Sequence, residues 1–266
     1  LLPALARAKE NATGIACMNN NKQIMLAWSL FASDHEDRIP YASAYKSEPT
    51  WPFAWAVGVL RLTGVNEDLS FVTEGVIKKY VGNSKDVFKC PADKAIITNN
   101  RGQKIYRDRS YSMNIFMGGW SGWPFIYDSQ FKTHHLYSDV ASPSRLFSFI
   151  EMPSASINSG NFRVVPLTPR GDEMFSQDWP GIYHNGGSVV SFVDSHVEFK
   201  RWLEEDTKHI PLGAGSPTSM DSRVVSPDNR DLAWLRDRAT VPDPNTHKWF
   251  NFMGGIGRYH RDGNVR

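Results

Sequence analysis

Three residues have types and spacing that could do chemistry together: His184, Asp194 and His196. Asp194 and His196 are two apart, so in a strand they share a face and could hold one metal ion. His184, just before Gly186 and Gly187, could complete a facial triad, and such a site would suit metal-dependent hydrolysis. A structural reading competes with this one. Asp caps tight turns by hydrogen-bonding nearby backbone, and a D-x-H pair at a turn requires no metal. The structural reading is the expectation here: His184, Gly186, Gly187 and Asp194 form a hairpin motif, and the chain is not expected to be an enzyme.

Other chemistry-bearing groups are sparse. There is no nucleophile elbow, P-loop, GxGxxG or HExxH pattern. The GGW and NGG stretches lack the strand-to-helix setting that phosphate binding uses. His134 and His135 are adjacent, so in a strand they face opposite ways and chelate poorly. The two cysteines, Cys17 and Cys90, match no zinc spacing. Cys17 falls in a predicted helix with no base nearby, which argues against a catalytic thiol. Either a Cys17–Cys90 disulfide ties that helix to the rest of the chain, or both are reduced, buried thiols. The acids Asp34, Glu36 and Asp37 offer oxygen ligands of the kind calcium takes, but without EF-hand spacing. A solvated turn is the simpler reading. Nine tryptophans are present, and Trp51, Trp55, Trp120 and Trp123 lie in Pro/Gly-rich sequence. Aromatics so placed either stack on sugars, making a glycan-binding module, or cover the edge of a core.

Composition bounds the class. The chain has 266 residues, 41% hydrophobic and 22% charged, which suits a folded body rather than a disordered tail. Its net charge is +2 with Lys and Arg spread along the sequence, so no nucleic-acid footprint is present. No run reaches the length of about 18 apolar residues that a membrane-spanning helix needs. The start, Leu1 to Leu5, nevertheless resembles the tail of something more apolar.

These groups must be positioned by a few elements. Residues 1–33 read as one long helix, a stem, with a globular head over 34–266. Apolar residues recur at Leu1, Leu5, Ala8, Ala12 and Ile15, then at Ile24, Ala27, Trp28 and Phe31, a helical spacing with a drifting face. Gly14 and the Asn19–Asn21 run weaken the middle. The first half is thinly apolar and should project; the second half carries side chains large enough to dock. Asp34 to Pro40 ends the helix. Val76, Ile77, Tyr80 and Val81 suggest a short helix. Ser110 to Met117 reads as an alternating strand, and Leu146 to Ile150 as one buried on both faces. Gly187 to Val193 and His196 to Trp202 form a β-hairpin. Beyond Leu203, Leu232 to Leu235 suggests a single helical turn and Trp249 to Met253 a short strand or anchor. The fold expected is α+β, a long N-terminal helix packed on an antiparallel sheet.

Four motifs in order carry a resemblance. The stretch LLPALARAKENATGIACMNNNKQIMLAWSLFASDHEDRIP resembles the region after the hydrophobic start of bacterial type IV pilin-like proteins. FKCPAD (Phe88 to Asp93), SYSMN (Ser110 to Asn114) and His184 through Asp194 follow. The last is similar to the processing-associated H-x9-DG segment of large pseudopilin-like proteins of Verrucomicrobia, Planctomycetes and Lentisphaerae, with Ser195 in place of Gly. The resemblance implies a pilin-like fold and a structural subunit of a type IV pilus or type II secretion pseudopilus. It implies an upstream class III signal peptide, cleavage by prepilin peptidase and N-terminal methylation. The subunit would sit in the inner membrane, then enter a periplasmic or extracellular filament through contacts at Leu1, Leu2, Leu5, Ala8 and Ala12. Its partners would be copies of itself and the assembly machinery. A structural calcium in an acidic loop is also admitted. Ser195 raises the question of turn type, since Gly takes positive φ freely and Ser does not.

Overall fold

A computed structural model describes residues 2–44, 51–57, 74–98, 102–120, 131–154, 156–164, 174–175, 178–209, 223–224 and 228–242. Helix α1 runs over Leu2–Asp34 without a break, so Gly14 and the three asparagines do not interrupt it. It is followed by a reversal in which Glu36 and Asp37 take φ of 54° and 66°. Two short antiparallel ladders, β1 (Ile96–Thr98) with β2 (Lys104–Tyr106) and β6 (Met174–Phe175) with β9 (Arg223–Val224), flank the body.

The central sheet has β3 (Tyr111–Asn114), β4 (Phe147–Glu151), β5 (Asn161–Phe162), β7 (Gly187–Phe192) and β8 (Val197–Arg201), in the order β5-β3-β4-β7-β8. The architecture is α+β. The sheet is mixed rather than wholly antiparallel, because β5 pairs parallel to β3 through Met113–Asn161 and Asn114–Phe162. A long excursion, not a hairpin, returns the chain to that edge, and such a connection permits the parallel direction. The expected hairpin is β7–β8, paired from Gly187–Arg201 to Ser191–Val197.

Apolar clusters lie on both faces. On one, Cys17, Ile24, Met25, Trp28 and Phe31 of α1 pack against Met113, Phe149, Val189 and Val193. On the other, Phe147, Ile150, Val190, Phe192 and Trp202 pack against Leu232, Leu235 and Ala239. The strands buried on both faces mix large apolar residues with small or buried polar ones, such as Ser148, Ser188 and Ser191. β3 falls in this class too, and its side chains are all buried, where simple alternation was expected. Leu232 to Leu235 is part of a longer helix, α3 (Arg230–Ala239), where a single turn was expected. Asn229 caps it by accepting from the Leu232 N–H at 2.8 Å. The short helix α2 (Glu205–Lys208) precedes it, and Val76–Val81 is a 3-10 helix that buries Ile77. Trp249 to Met253 lies outside the described residues.

Helix α1 carries apolar residues on two opposite sides. At about 100° per residue, the buried Cys17, Asn21, Ile24, Trp28 and Phe31 cluster on one side. Leu5, Ala8, Ala12, Ile15, Leu26 and Leu30 cluster about 180° away and are exposed. The apparent drift of the apolar face along the sequence is thus two stripes, one docked and one outward.

Trp28 is fully buried at the centre of the docked stripe. Trp28→Ala should cost about 3–5 kcal/mol, read as a lower denaturant midpoint together with protease cleavage within α1. His134 is buried and His135 exposed, although the pair lies outside any named strand. Burial, then the Lys132 charge, depresses His134 to about 4, against a weaker upward pull from the Asp139 carbonyl. A depressed histidine gives stability that is present above its ordinary pKa and lost as pH falls through the folded value. The denaturant midpoint should therefore fall between about pH 6.5 and about pH 4, and this loss should be smaller in His134→Asn.

Candidate functional site

The sequence-predicted triad does not form. His184 precedes β7, whereas Asp194 and His196 follow it, so the six residues of that strand separate them by roughly 20 Å. Asp194 accepts from the His196 backbone N–H at 3.1 Å and from its Nδ1 at 2.5 Å. His196 stacks on Phe192 with ring centroids 4.2 Å apart. Asp194 is a turn cap, as the structural reading held, but His184 is not beside it. Ser195 keeps φ at 72°, the left-handed conformation that Gly takes freely.

His184 instead starts a tight turn. Its backbone exchanges both hydrogen bonds with Gly187, at 3.4 and 3.2 Å. Asn185 and Gly186 between them have φ of 52° and 75°, the pattern of a two-residue hairpin turn of type I′. Gly187 cannot gain a side chain, because a Cβ there would lie 2.4 Å from the Lys200 carbonyl oxygen. The turn aims the His184 imidazole under α1, where a Cβ on Gly14 would sit 3.7 Å from Nδ1.

Four side chains converge there: Cys17 of α1, Cys90 of the CPAD turn, Glu151 at the end of β4, and His184. Their ligand atoms all lie within 4.8 Å of one another, and all four residues are buried. The Cys17 thiol donates to Glu151 Oε1 at 3.0 Å and lies 2.9 Å from the Tyr111 hydroxyl. Cys90 Sγ lies 3.3 Å from His184 Nε2, which is 3.4 Å from Glu151 Oε1. The other carboxylate oxygen accepts from the Val189 N–H at 3.3 Å, and the Ala92 N–H points at Cys90 Sγ at 3.4 Å. No sulfur–sulfur bond joins the two cysteines in this structure.

The placement of Glu151 depends on an irregularity in β4. Pairing with β7 shifts register between Phe147 and Phe149. Phe147 consequently joins the cluster on the α3 side, and Phe149 the cluster under α1. A bulge exchanges the faces of the residues beyond it, which turns Glu151 toward Cys17. Burial alone would lower His184, but hydrogen bonds to Cys90 and Glu151 and the Glu151 charge raise it to about 10. Burial pushes the Cys17 thiol far up, reinforced by Cys90 and Glu151. Cys90 is drawn down by its contact with Cys17, against burial, and by His184. The contacts with Cys90 and Glu151 thus favour the protonated imidazole, and burial favours the neutral Cys17 thiol.

The neighbouring polar groups join stem to head. Asn20 Nδ2 donates to the Lys89 and Asp86 carbonyls at 2.9 and 3.3 Å, holding the segment that leads to Cys90. Asn21 Oδ1 accepts from Ser191 Oγ at 3.4 Å. The asparagine run that weakens the helix in isolation thus fastens it in the fold. Asp34 accepts from the Tyr80 hydroxyl at 2.8 Å and Asp37 from the Ser138 N–H at 2.9 Å, so both carboxylates already serve the turn.

The four tryptophans form no common platform among the described residues. Trp55 is fully buried and its indole N–H donates to the Ala42 and Gly160 carbonyls at 2.8 and 2.9 Å. Trp51 and Trp120 are half-buried against separate apolar clusters. Trp123 lies outside the described residues. Of the expected filament contacts, Leu5, Ala8 and Ala12 are exposed, while Leu1 and the side chain of Leu2 lie outside the description. No described helix is long and apolar enough to cross a membrane.

Sequence reasoning paired Cys17 with Cys90 and singled out His184, but missed Glu151. The available signal was an acid closing an otherwise buried strand, FSFIE. Arg109 was also missed. It is buried and donates to the carbonyls of Tyr111, Asn158 and Ser159 at 2.7, 3.0 and 2.7 Å, which fixes the loop beside β3. Comparison with protein-family models, curated proteins and solved structures gives no match.

The strained turn yields a direct expectation. Ser195→Gly should relieve the left-handed conformation at the cost of unfolded-chain entropy. The net effect should be a rise in unfolding free energy of up to about 1 kcal/mol, while Ser195→Val should lower it; chemical denaturation measures both.

Proposed function

We propose that the chain is a structural subunit that polymerises through α1, in the manner of type IV pilins and pseudopilins. The observation that carries this reading is the outward apolar stripe of the helix. Leu5, Ile15, Leu26 and Leu30 are 68%, 61%, 59% and 41% exposed, on the side opposite the docked face. Burying such a side chain contributes about 1.5–3 kcal/mol, so leaving four in water on one rod is costly. Docking against helices of other copies covers them. One face of α1 is already committed to the head, so the free face supports a head-to-tail contact, which propagates as an open filament.

The polarity of the helix fits this division. Lys9 and Glu10 are exposed near the small residues Ala8 and Ala12, so the projecting part combines close-packing positions with charges able to pair between copies. The pilin-like fold, the prepilin-peptidase step, passage through the inner membrane and a final periplasmic or extracellular location belong to this proposal. Either a surface pilus or a secretion pseudopilus satisfies it. A glycan-binding head gains no support from Trp55, which is buried.

Assembly should depend on the outward face but not on the integrity of the head. In the full-length chain, produced with its assembly machinery, Ile15→Glu and Leu26→Glu should abolish filaments seen by electron microscopy. Their thermal unfolding should stay close to that of the parent protein. A wild-type protein that is processed, reaches the membrane and stays monomeric would overturn the proposal.

A further inference from the structure

We infer that Cys17, Cys90, Glu151 and His184 form a structural zinc site that locks the stem helix to the head. The donors are two thiols, an imidazole nitrogen and a carboxylate oxygen, a set whose softness suits zinc. Zinc bonds of about 2.3 Å to sulfur and about 2.0–2.1 Å to nitrogen or oxygen place tetrahedral ligands roughly 3.4–3.8 Å apart. Here Cys90 Sγ to His184 Nε2 is 3.3 Å, His184 Nε2 to Glu151 Oε1 is 3.4 Å, and Cys17 Sγ to Glu151 Oε1 is 3.0 Å. The remaining donor pairs lie within 4.8 Å, so side-chain shifts of about 1 Å bring all four donors to tetrahedral spacing.

The surroundings match as well. The Tyr111 hydroxyl lies 2.9 Å from Cys17 Sγ, the Ala92 N–H 3.4 Å from Cys90 Sγ, and the Val189 N–H 3.3 Å from the free oxygen of Glu151. Such contacts orient metal ligands and stabilise their charge. A carboxylate fully buried beside two thiols is costly without strong partners, and a disulfide would remove the Cys17 donor to Glu151, leaving it only His184 and the Val189 N–H. All four positions are supplied by protein and all are buried, which marks a closed, structural site rather than a catalytic one. On binding, both thiols and the imidazolium release their protons to solvent.

The site joins four separate segments: α1, the CPAD turn, the end of β4 and the HNGG turn. It is formed within one copy, so it fills whether or not the chain assembles. The test uses the full chain purified without chelator or metal-affinity steps. Elemental analysis should find one zinc per chain, and exchange with cobalt should give the sulfur-to-cobalt charge-transfer absorption of a tetrahedral thiolate site. Glu151→Gln, which keeps the volume of the side chain, should lower zinc affinity more than about 10-fold. Cys17→Ser should remove about half of the charge-transfer band, since one of the two thiolates remains. Two results would overturn the inference: a denatured mass two hydrogens lighter, showing a Cys17–Cys90 disulfide, or reduced folded protein that takes up no zinc or cobalt.

Discussion

The docking of the second half of α1 onto the sheet is the constraint from which the remaining structure follows. A lone helix of this composition gains little from intrinsic propensity, and most helical stability in proteins comes from packing. Ile24, Met25, Trp28 and Phe31 provide that packing, and they fix how the helix is rotated about its axis. That rotation decides everything upstream. It points Cys17 down toward β4 and β7, and it leaves Ile15 and Leu5 facing outward on the opposite side. The same event therefore creates a buried polar seam and an exposed apolar ridge.

The seam is chemically unusual for its depth. Asn20, Asn21, Cys17, Glu151 and His184 place hydrogen-bonding and ionisable groups between the helix and the sheet, where hydrocarbon would pack with less desolvation. Most are answered by a partner: Asn20 by the carbonyls leading to Cys90, Asn21 by Ser191, Cys17 by Tyr111 and Glu151, and Glu151 by Val189 and His184, while His184 Nδ1 has no hydrogen-bond partner among the described residues. Buried groups satisfied in this way specify one position of the helix along its groove, because a slip of one turn would strand several of them. Non-specific apolar packing would tolerate such a slip.

The H-x9-D stretch illustrates how one motif can serve two ends of a hairpin. Asp194 closes the β7–β8 turn through the His196 backbone, and Ser195 bears the strain of a left-handed φ. His184 sits a full strand away, at the other end of β7, and belongs to the seam. The spacing between them is thus set by the length of a strand, not by a shared ligand. Similarly, the Trp residues have divergent roles, with Trp28 and Trp55 in the core.

The sequence alone determined the elements whose signals are local. The 3.6-residue spacing of large apolar side chains marks the docked half of α1, the alternating run at Val197 marks β8, and the apolar-rich run Leu146 to Ile150 marks a strand covered on both faces. It also identified Cys17, Cys90 and His184 as notable residues. Only the tertiary structure decided how they combine. Helical periodicity cannot say which of two opposed stripes faces a core, since that depends on what packs against it. Strand alternation carried through Phe147 would have put Glu151 on the face away from α1, and the register shift in β4 reverses it. The parallel β3–β5 pair escaped for a similar reason, because chain return is set by distant contacts; the full length of α3 was legible in principle, since its Asn229 cap is a local signal. Motif spacing detects chelates built within one short segment; here the four donors come from four segments, and only folding brings them together.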